Sequence, residues 1–207
     1  ACINPEVCIG CGKCAEVCPV EAVKFEKKPG KGAVKEIKEP DNNAYAGYHG
    51  VAVFIETVNG QGATVSWELT GKAQELARKL KTNVMGLLLG HNVGAVAQEA
   101  IAHGCDEVHM IDDPLLSRYL SRLHGAALSD LCEKVKPEVV LIGATSEGRD
   151  LASIVATNIE TGLTADCTGL DIDEEKRLLL MTRPTFGGNI MATIFCERHR
   201  PQMSTVR

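Results

Sequence analysis

The chain has 207 residues, 44% of them hydrophobic but only 4% aromatic, and a formal net charge of −5. The length suits a small module plus a domain of about 150 residues, and a core poor in aromatics must be built from Val, Ile, Leu and Ala, as in helix-covered parallel sheets. The acidic balance excludes a general nucleic-acid binder, which needs a basic face to neutralise phosphates. No window approaches the ~18 consecutive apolar residues of a membrane span, and no positive n-region with an apolar h-region marks a signal peptide, so the chain reads as soluble and cytoplasmic.

The nine cysteines fall into two classes. Cys105, Cys132, Cys167 and Cys196 are scattered, and the last two lie in apolar strand patterns typical of buried structural thiols. Cys2, Cys8, Cys11, Cys14 and Cys18 crowd at the start. An odd count, clustering and no secretion signal oppose a disulfide framework. Residues 8–19 read C-x2-C-x2-C-x3-C-P, the spacing of bacterial-type ferredoxins. Thiolates on one tight loop can each reach a different iron of a cubane, and Gly10 and Gly12 let the backbone wrap closely around its sulfides. Zinc sites instead pair a close C-x2-C with distant ligands. The segment therefore predicts a 4Fe–4S cluster held by Cys8, Cys11, Cys14 and Cys18. In two-cluster ferredoxins the cysteine before proline ligates the other cluster. Either Cys18 closes this cluster or a partner motif lies elsewhere, and Cys2 is a remnant of that motif, a substitute ligand or a bystander.

Residues 1–50 form this module and its linker. The mixed-charge stretch 24–38 reads as a solvated surface, with a short strand at 33–37 pairing with one at 22–26. From residue 51 buried strands alternate with amphipathic helices: strands at 51–55, 84–89, 108–111 and 139–142, helices at 66–80, 93–102, 116–135 and 146–159. Ser66 is a candidate N-cap, Gly104 a C-terminal glycine cap, and Pro137 a helix stop. This alternation predicts a three-layer α/β fold, a parallel sheet with helices on both faces. Three further strands, 165–172, 178–183 and 190–195, have no helices between them and predict an antiparallel C-terminal addition. Thr164, Asp166 and Thr168 alternate with Ala165 and Cys167, as on a strand with one polar face. His91, His103, His109, His124 and His199 have no metal-binding spacing, and no residue reads as catalytic.

Two segments carry candidate chemistry. Gly143-Ala144-Thr145-Ser146-Glu147-Gly148-Arg149-Asp150-Leu151 follows a strand and opens a helix. Its N–H groups and Arg149 can hold an anion, or it is a plain helix start capped by Thr145 or Ser146. In Thr182-Arg183-Pro184-Thr185-Phe186-Gly187-Gly188-Asn189-Ile190-Met191-Ala192, proline extends the residue before it and the glycines allow close backbone approach. A flavin or a partner subunit could sit there, or Arg183 is a surface residue on an ordinary connection.

These segments, with Thr161-Gly162-Leu163-Thr164-Ala165-Asp166-Cys167-Thr168 and the closing Arg200-Pro201-Gln202-Met203-Ser204-Thr205-Val206-Arg207, resemble the first domain of electron-transfer flavoprotein alpha subunits, over residues 51–207. With the cysteine motif in front, the chain looks like the variant with a ferredoxin-like extension found in flavin-based electron-bifurcating complexes. The resemblance implies a beta-subunit partner carrying FAD near the interface, a C-terminal FAD domain absent from this chain, and exchange with ferredoxin and a flavin dehydrogenase or reductase. It implies an electron-carrying subunit rather than an enzyme on its own, passing single electrons between ferredoxin or the cluster and the partner's FAD. Arg149, Arg183, Phe186, Gly187, Gly188 and Asn189 are the implied flavin contacts. Two other readings stand beside it: a redox-sensing nucleotide-binding protein, although Val58-Asn59-Gly60-Gln61-Gly62 has no G-x-x-x-x-G-K pattern, and a docking scaffold with a vestigial cluster. Replacing Cys11 with Ala should abolish the cluster; iron and acid-labile sulfide per chain, about four of each in the parent, measure it.

Overall fold

Strand β1 (His49–Ile55) is buried on both faces from Gly50 onward. Val51, Val53 and Ile55 point into one helical layer, Ala52 and Phe54 into the other, the period-two alternation of a central strand. The computed structural model describes residues 45–188 and 190–207; the cysteine motif and the expected strand pair at 22–26 and 33–37 lie outside the described residues.

After β1 a small hairpin, β2 (Thr57–Val58) and β3 (Gln61–Gly62), turns through Asn59 and Gly60, both at positive φ, as a tight two-residue turn requires. Helix α1 (Thr64–Leu80) buries Leu69, Ala73, Leu76, Ala77 and Leu80 along one stripe. Its N-cap is Ala63, without a side-chain bond, and not Ser66. Ser66 lies inside the first turn, where its hydroxyl accepts from the Glu56 N–H at 2.9 Å and ties the helix to the end of β1. Then come β4 (Val84–Gly90), α2 (Gly94–Ala102), with Gly104 at φ +107 just past its end, and β5 (Glu107–Asp112).

The helix expected at 116–135 is split. Pro114 opens a 3₁₀ turn over Pro114–Leu116 in which Asp113 accepts from the Leu115 N–H, and α3 begins only at Ser121 (Ser121–Val135). Here His124 Nδ1 accepts from the Leu120 N–H at 3.2 Å, satisfying one free donor of the helix start. Lys136, left-handed, ends α3, and Pro137 opens β6 (Pro137–Gly143). Thr145 caps α4 (Ser146–Asn158), accepting from the Gly148 N–H. A Cβ on Gly148 would stand 2.1 Å from the Gly143 carbonyl oxygen, so only glycine lets this helix start so close to the strand.

The stretch expected as one strand at 165–172 breaks in two. β7 (Leu163–Cys167) joins the parallel sheet, and β8 (Gly169–Asp173) belongs to an antiparallel sheet with β9 (Leu178–Thr185) and β10 (Ile190–Ile194), ordered β10-β9-β8. Asp166 takes φ +59 and a register irregularity lies opposite it. This bulge ends the expected alternation, since Thr164 and Cys167 are both buried. The last strand, β11 (Gln202–Val206), is inserted between β6 and β7 and pairs parallel to both.

The main sheet runs β5-β4-β1-β6-β11-β7. Helices α1 and α2, together with the antiparallel sheet, cover one face, and α3 and α4 the other. The first two crossovers run outward from β1 to β4 and β5, and the next returns past β1 to β6, so the chain reverses direction between β1 and β6. Among the described residues no helix is long and apolar enough to cross a membrane.

Two polar links fasten the antiparallel sheet to the body. Arg177 Nε donates to the buried Glu138 at 3.0 Å and Nη1 to the Leu80 carbonyl at 3.0 Å. Gln202, fully buried in β11, accepts from the Leu179 N–H at 2.8 Å and donates to the Arg177 carbonyl at 3.2 Å. Replacing Gln202 with Ala strands a buried N–H and opens a gap; urea unfolding should show a loss of about 1–3 kcal/mol.

Candidate functional site

Two arginines meet one carboxylate at the end of β7, and a third lies near the last residue of that strand. Arg149 stands in the first turn of α4, and its Nε donates to Asp166 Oδ1 at 2.8 Å with Nη2 to Oδ2 at 3.3 Å. Arg207, just past β11, donates from Nη2 to the same Oδ2 at 3.3 Å, and its backbone N–H donates to the Cys167 carbonyl at 3.0 Å. Arg183 lies on β9, opposite Ala192 of β10, close enough to Cys167 for its charge to act on that thiol. Its Nε is sealed from solvent and has no hydrogen-bond partner among the described residues. One carboxylate thus pairs with two guanidinium groups, with Arg183 nearby at Cys167, and the patch carries an excess of positive charge. The Arg149 guanidinium, then Arg207, holds the Asp166 carboxyl below its ordinary range.

Beyond Arg183, the β9–β10 connection passes through Gly187 and Gly188 at φ +72 and +94. Side chains at either position would meet nothing within 4 Å, so the turn stands away from its own domain. The Phe186 side chain and Asn189 lie outside the described residues. β10 is an edge strand that exposes Ile190 and Met191 by more than half, with Ile194 and Phe195 also exposed. A contiguous apolar edge of this kind marks a surface that a partner covers.

The structure places Arg149 on Asp166 together with Arg207, and Arg183 near Cys167 at the end of the same strand. Arg207, in the closing segment, carries no sequence signal of this role, because the strand before it is recognised as central only in the tertiary structure. Arg149 is not free to hold an anion alone, because it is committed to Asp166. Cys167 is fully buried, whereas Cys196 is only half-buried and donates weakly to the His199 carbonyl. Among the described residues no cluster of His, Cys, Asp and Glu could hold a metal ion.

Comparison with known proteins fits this arrangement. The family described as electron transfer flavoprotein domain matches residues 51–207.

The chain belongs to the electron transfer flavoprotein family.

A second family, the 4Fe-4S binding domain, matches residues 1–24. Among the family's alpha subunits, the "Electron transfer flavoprotein subunit alpha" of Thermoanaerobacterium thermosaccharolyticum is 52% identical over 160 residues, 77% of this chain and 48% of that protein. "Protein FixB" of Bradyrhizobium diazoefficiens is 44% identical over 181 residues, 86% of this chain and 48% of that protein. The "Lactate dehydrogenase (NAD(+),ferredoxin) subunit LctC" of Acetobacterium woodii is 39% identical over 211 residues, 93% of this chain and 50% of that protein. The chain spans about half the length of these relatives.

The depressed Asp166 carboxyl makes a pH prediction. Its ion pairs stabilise the fold above the unfolded-state value near about 3.9 and are lost as pH falls through the lower folded-state value. Asn tolerates positive φ, so Asp166→Asn should be less stable than the parent near neutrality, with the difference shrinking as pH falls below the unfolded-state value. Urea midpoints across that range measure it.

Proposed function

We propose that this chain is an electron-transfer subunit of a flavin-based complex, of the electron-bifurcating type. It passes single electrons between a 4Fe–4S cluster, fed by or feeding ferredoxin, and the FAD of a beta subunit. Cys8, Cys11, Cys14 and Cys18 hold the cluster, a reading that the 4Fe-4S family match over residues 1–24 supports. The associated flavin dehydrogenase or reductase supplies the substrate chemistry, and the similarity to LctC favours a ferredoxin-linked partner. A further FAD belongs to a C-terminal domain outside this sequence.

The observation that carries this reading is Arg183. A guanidinium with a sealed, unpartnered Nε costs stability in the isolated domain, and it stands beside an exposed apolar edge strand. The apolar edge is covered, and the Arg183 charge offset, when a subunit bearing a planar ring that becomes anionic on reduction docks there. The flavin supplies the reversible exchange of one and two electrons when bound. Arg183 donates a charge-assisted hydrogen bond to that ring. Ile190 and Met191 exclude water from it. Asp166 keeps Arg149 and Arg207 oriented at the rim, and Gly187 and Gly188 let the partner approach the backbone.

In the complex with the beta subunit, Arg183→Ala should lower the potential of the beta-subunit flavin by about 60 mV, the one-electron equivalent of about 1.4 kcal/mol. Anaerobic spectroelectrochemistry reads this directly. A potential equal to that of the parent complex, with the complex intact, would remove Arg183 from the flavin site.

A further inference from the structure

A cavity of about 600 Å³ opens on the carboxyl edge between the loops that follow β1, β5 and β6. It sits at the point where the chain reverses direction across the sheet, where open α/β folds hold small ligands. Phe54, Leu89 and Leu116, all buried, give it an apolar wall.

Its polar groups are fixed in place. Glu56, at the end of β1, is 7% exposed. Its Oε2 accepts from Thr145 Oγ1 at 2.7 Å, and that hydroxyl in turn accepts from the Gly148 N–H at 2.9 Å. Oε1 makes no hydrogen bond among the described residues, yet it is not sealed from the cavity. Burial, helped by Glu147, pushes the Glu56 carboxyl up against the pull of the Thr145 bond, so its charge is under-solvated and gains from further donors. His124 is 5% exposed, and burial holds its pKa below the ordinary range. Because Nδ1 accepts from the Leu120 N–H, the neutral ring carries its proton on Nε2 and offers a donor. The Tyr119 ring stands 5.0 Å from the His124 ring, its hydroxyl anchored on Asp150 at 2.7 Å.

Charge decides what this cavity accepts. Glu56 and Glu147 line it against one cation, Arg118. The start of α4, a natural phosphate seat, already carries its own carboxylate in Glu147. The segment after β1 is a tight hairpin rather than a phosphate-wrapping loop. A phosphate would meet two carboxylates, whereas a diol offers Glu56 two donors and a ring nitrogen offers His124 an acceptor.

We propose that this cavity binds an uncharged nucleoside, a flat heterocycle carrying vicinal hydroxyls, with Glu56 accepting from the hydroxyls and His124 donating to the ring, and that it rejects the phosphorylated form. The site is separate from the arginine patch and stands whether or not that patch faces a flavin. Calorimetric titration of the full chain in its complex tests it, with adenosine, guanosine, cytidine and uridine as probes and their monophosphates beside them. At least one nucleoside should bind saturably, with its monophosphate weaker by about tenfold or more, and Glu56→Gln should weaken the nucleoside by about tenfold or more. Ser117→Trp, at an exposed rim position, should fill the mouth and abolish binding with the circular dichroism and melting temperature unchanged, and it carries the test if Glu56→Gln fails to fold. No saturable binding by any of the four nucleosides, monophosphates binding as tightly, or parent-like affinity in a folded variant overturns the proposal.

Discussion

Insertion of β11 between β6 and β7 is the contact on which the carboxyl edge of this molecule depends. The strand hydrogen-bonds to both neighbours, and its five residues are buried although three of them, Gln202, Ser204 and Thr205, are polar. Buried polar groups persist only when bonded, and here they are put to use. Gln202 fastens the antiparallel sheet, while Thr205 accepts from the Asp166 N–H at 2.9 Å and supports the bulge that aims that carboxylate at the arginines. Arg207 reaches Asp166 because it follows directly from this strand.

The carboxyl edge then carries two electrostatic regions of opposite sign. Around β7, Arg149 and Arg207 outnumber the Asp166 they pair with, and Arg183 adds its charge near Cys167. Between β1 and β6, Glu56 and Glu147 outnumber Arg118. Helix α4 serves both, since its first turn carries Glu147 toward the cavity and Arg149 toward Asp166. Gly148 between them allows the tight start that sets both side chains in place. A patch with surplus positive charge suits an anionic group, and a pocket with surplus negative charge suits a neutral donor. Dividing the edge in this way lets one sheet present two unlike surfaces.

The β9–β10 hairpin is held differently from the rest. Its base is tied through Arg177, Glu138 and Gln202, while its tip carries two left-handed glycines and exposed Ile190 and Met191. Exposed apolar side chains on an edge strand are an aggregation hazard unless covered. A rigid base and an apolar tip are consistent with an element whose final packing partner is another chain.

The amino-acid sequence by itself determined the parallel α/β layering and the antiparallel addition, because β1, β4 and β6 are continuous apolar runs and α1 and α4 carry a single apolar stripe, signals that act over a few neighbouring residues. It singled out Arg149 and Arg183 through the glycines and proline around them and a family resemblance. It gave no sign that Gln-Met-Ser-Thr-Val is a central strand, because its polar residues are satisfied by partners 20 to 40 positions away. It placed Ser66 at a cap and ran α3 back to Leu116, where the competing bonds of Glu56 and Asp113 decide otherwise. Only the tertiary structure decided that Arg149 and Arg207 share one aspartate and that Glu56 meets Thr145 across 89 residues, since such contacts depend on which strands become neighbours in the sheet and not on local spacing.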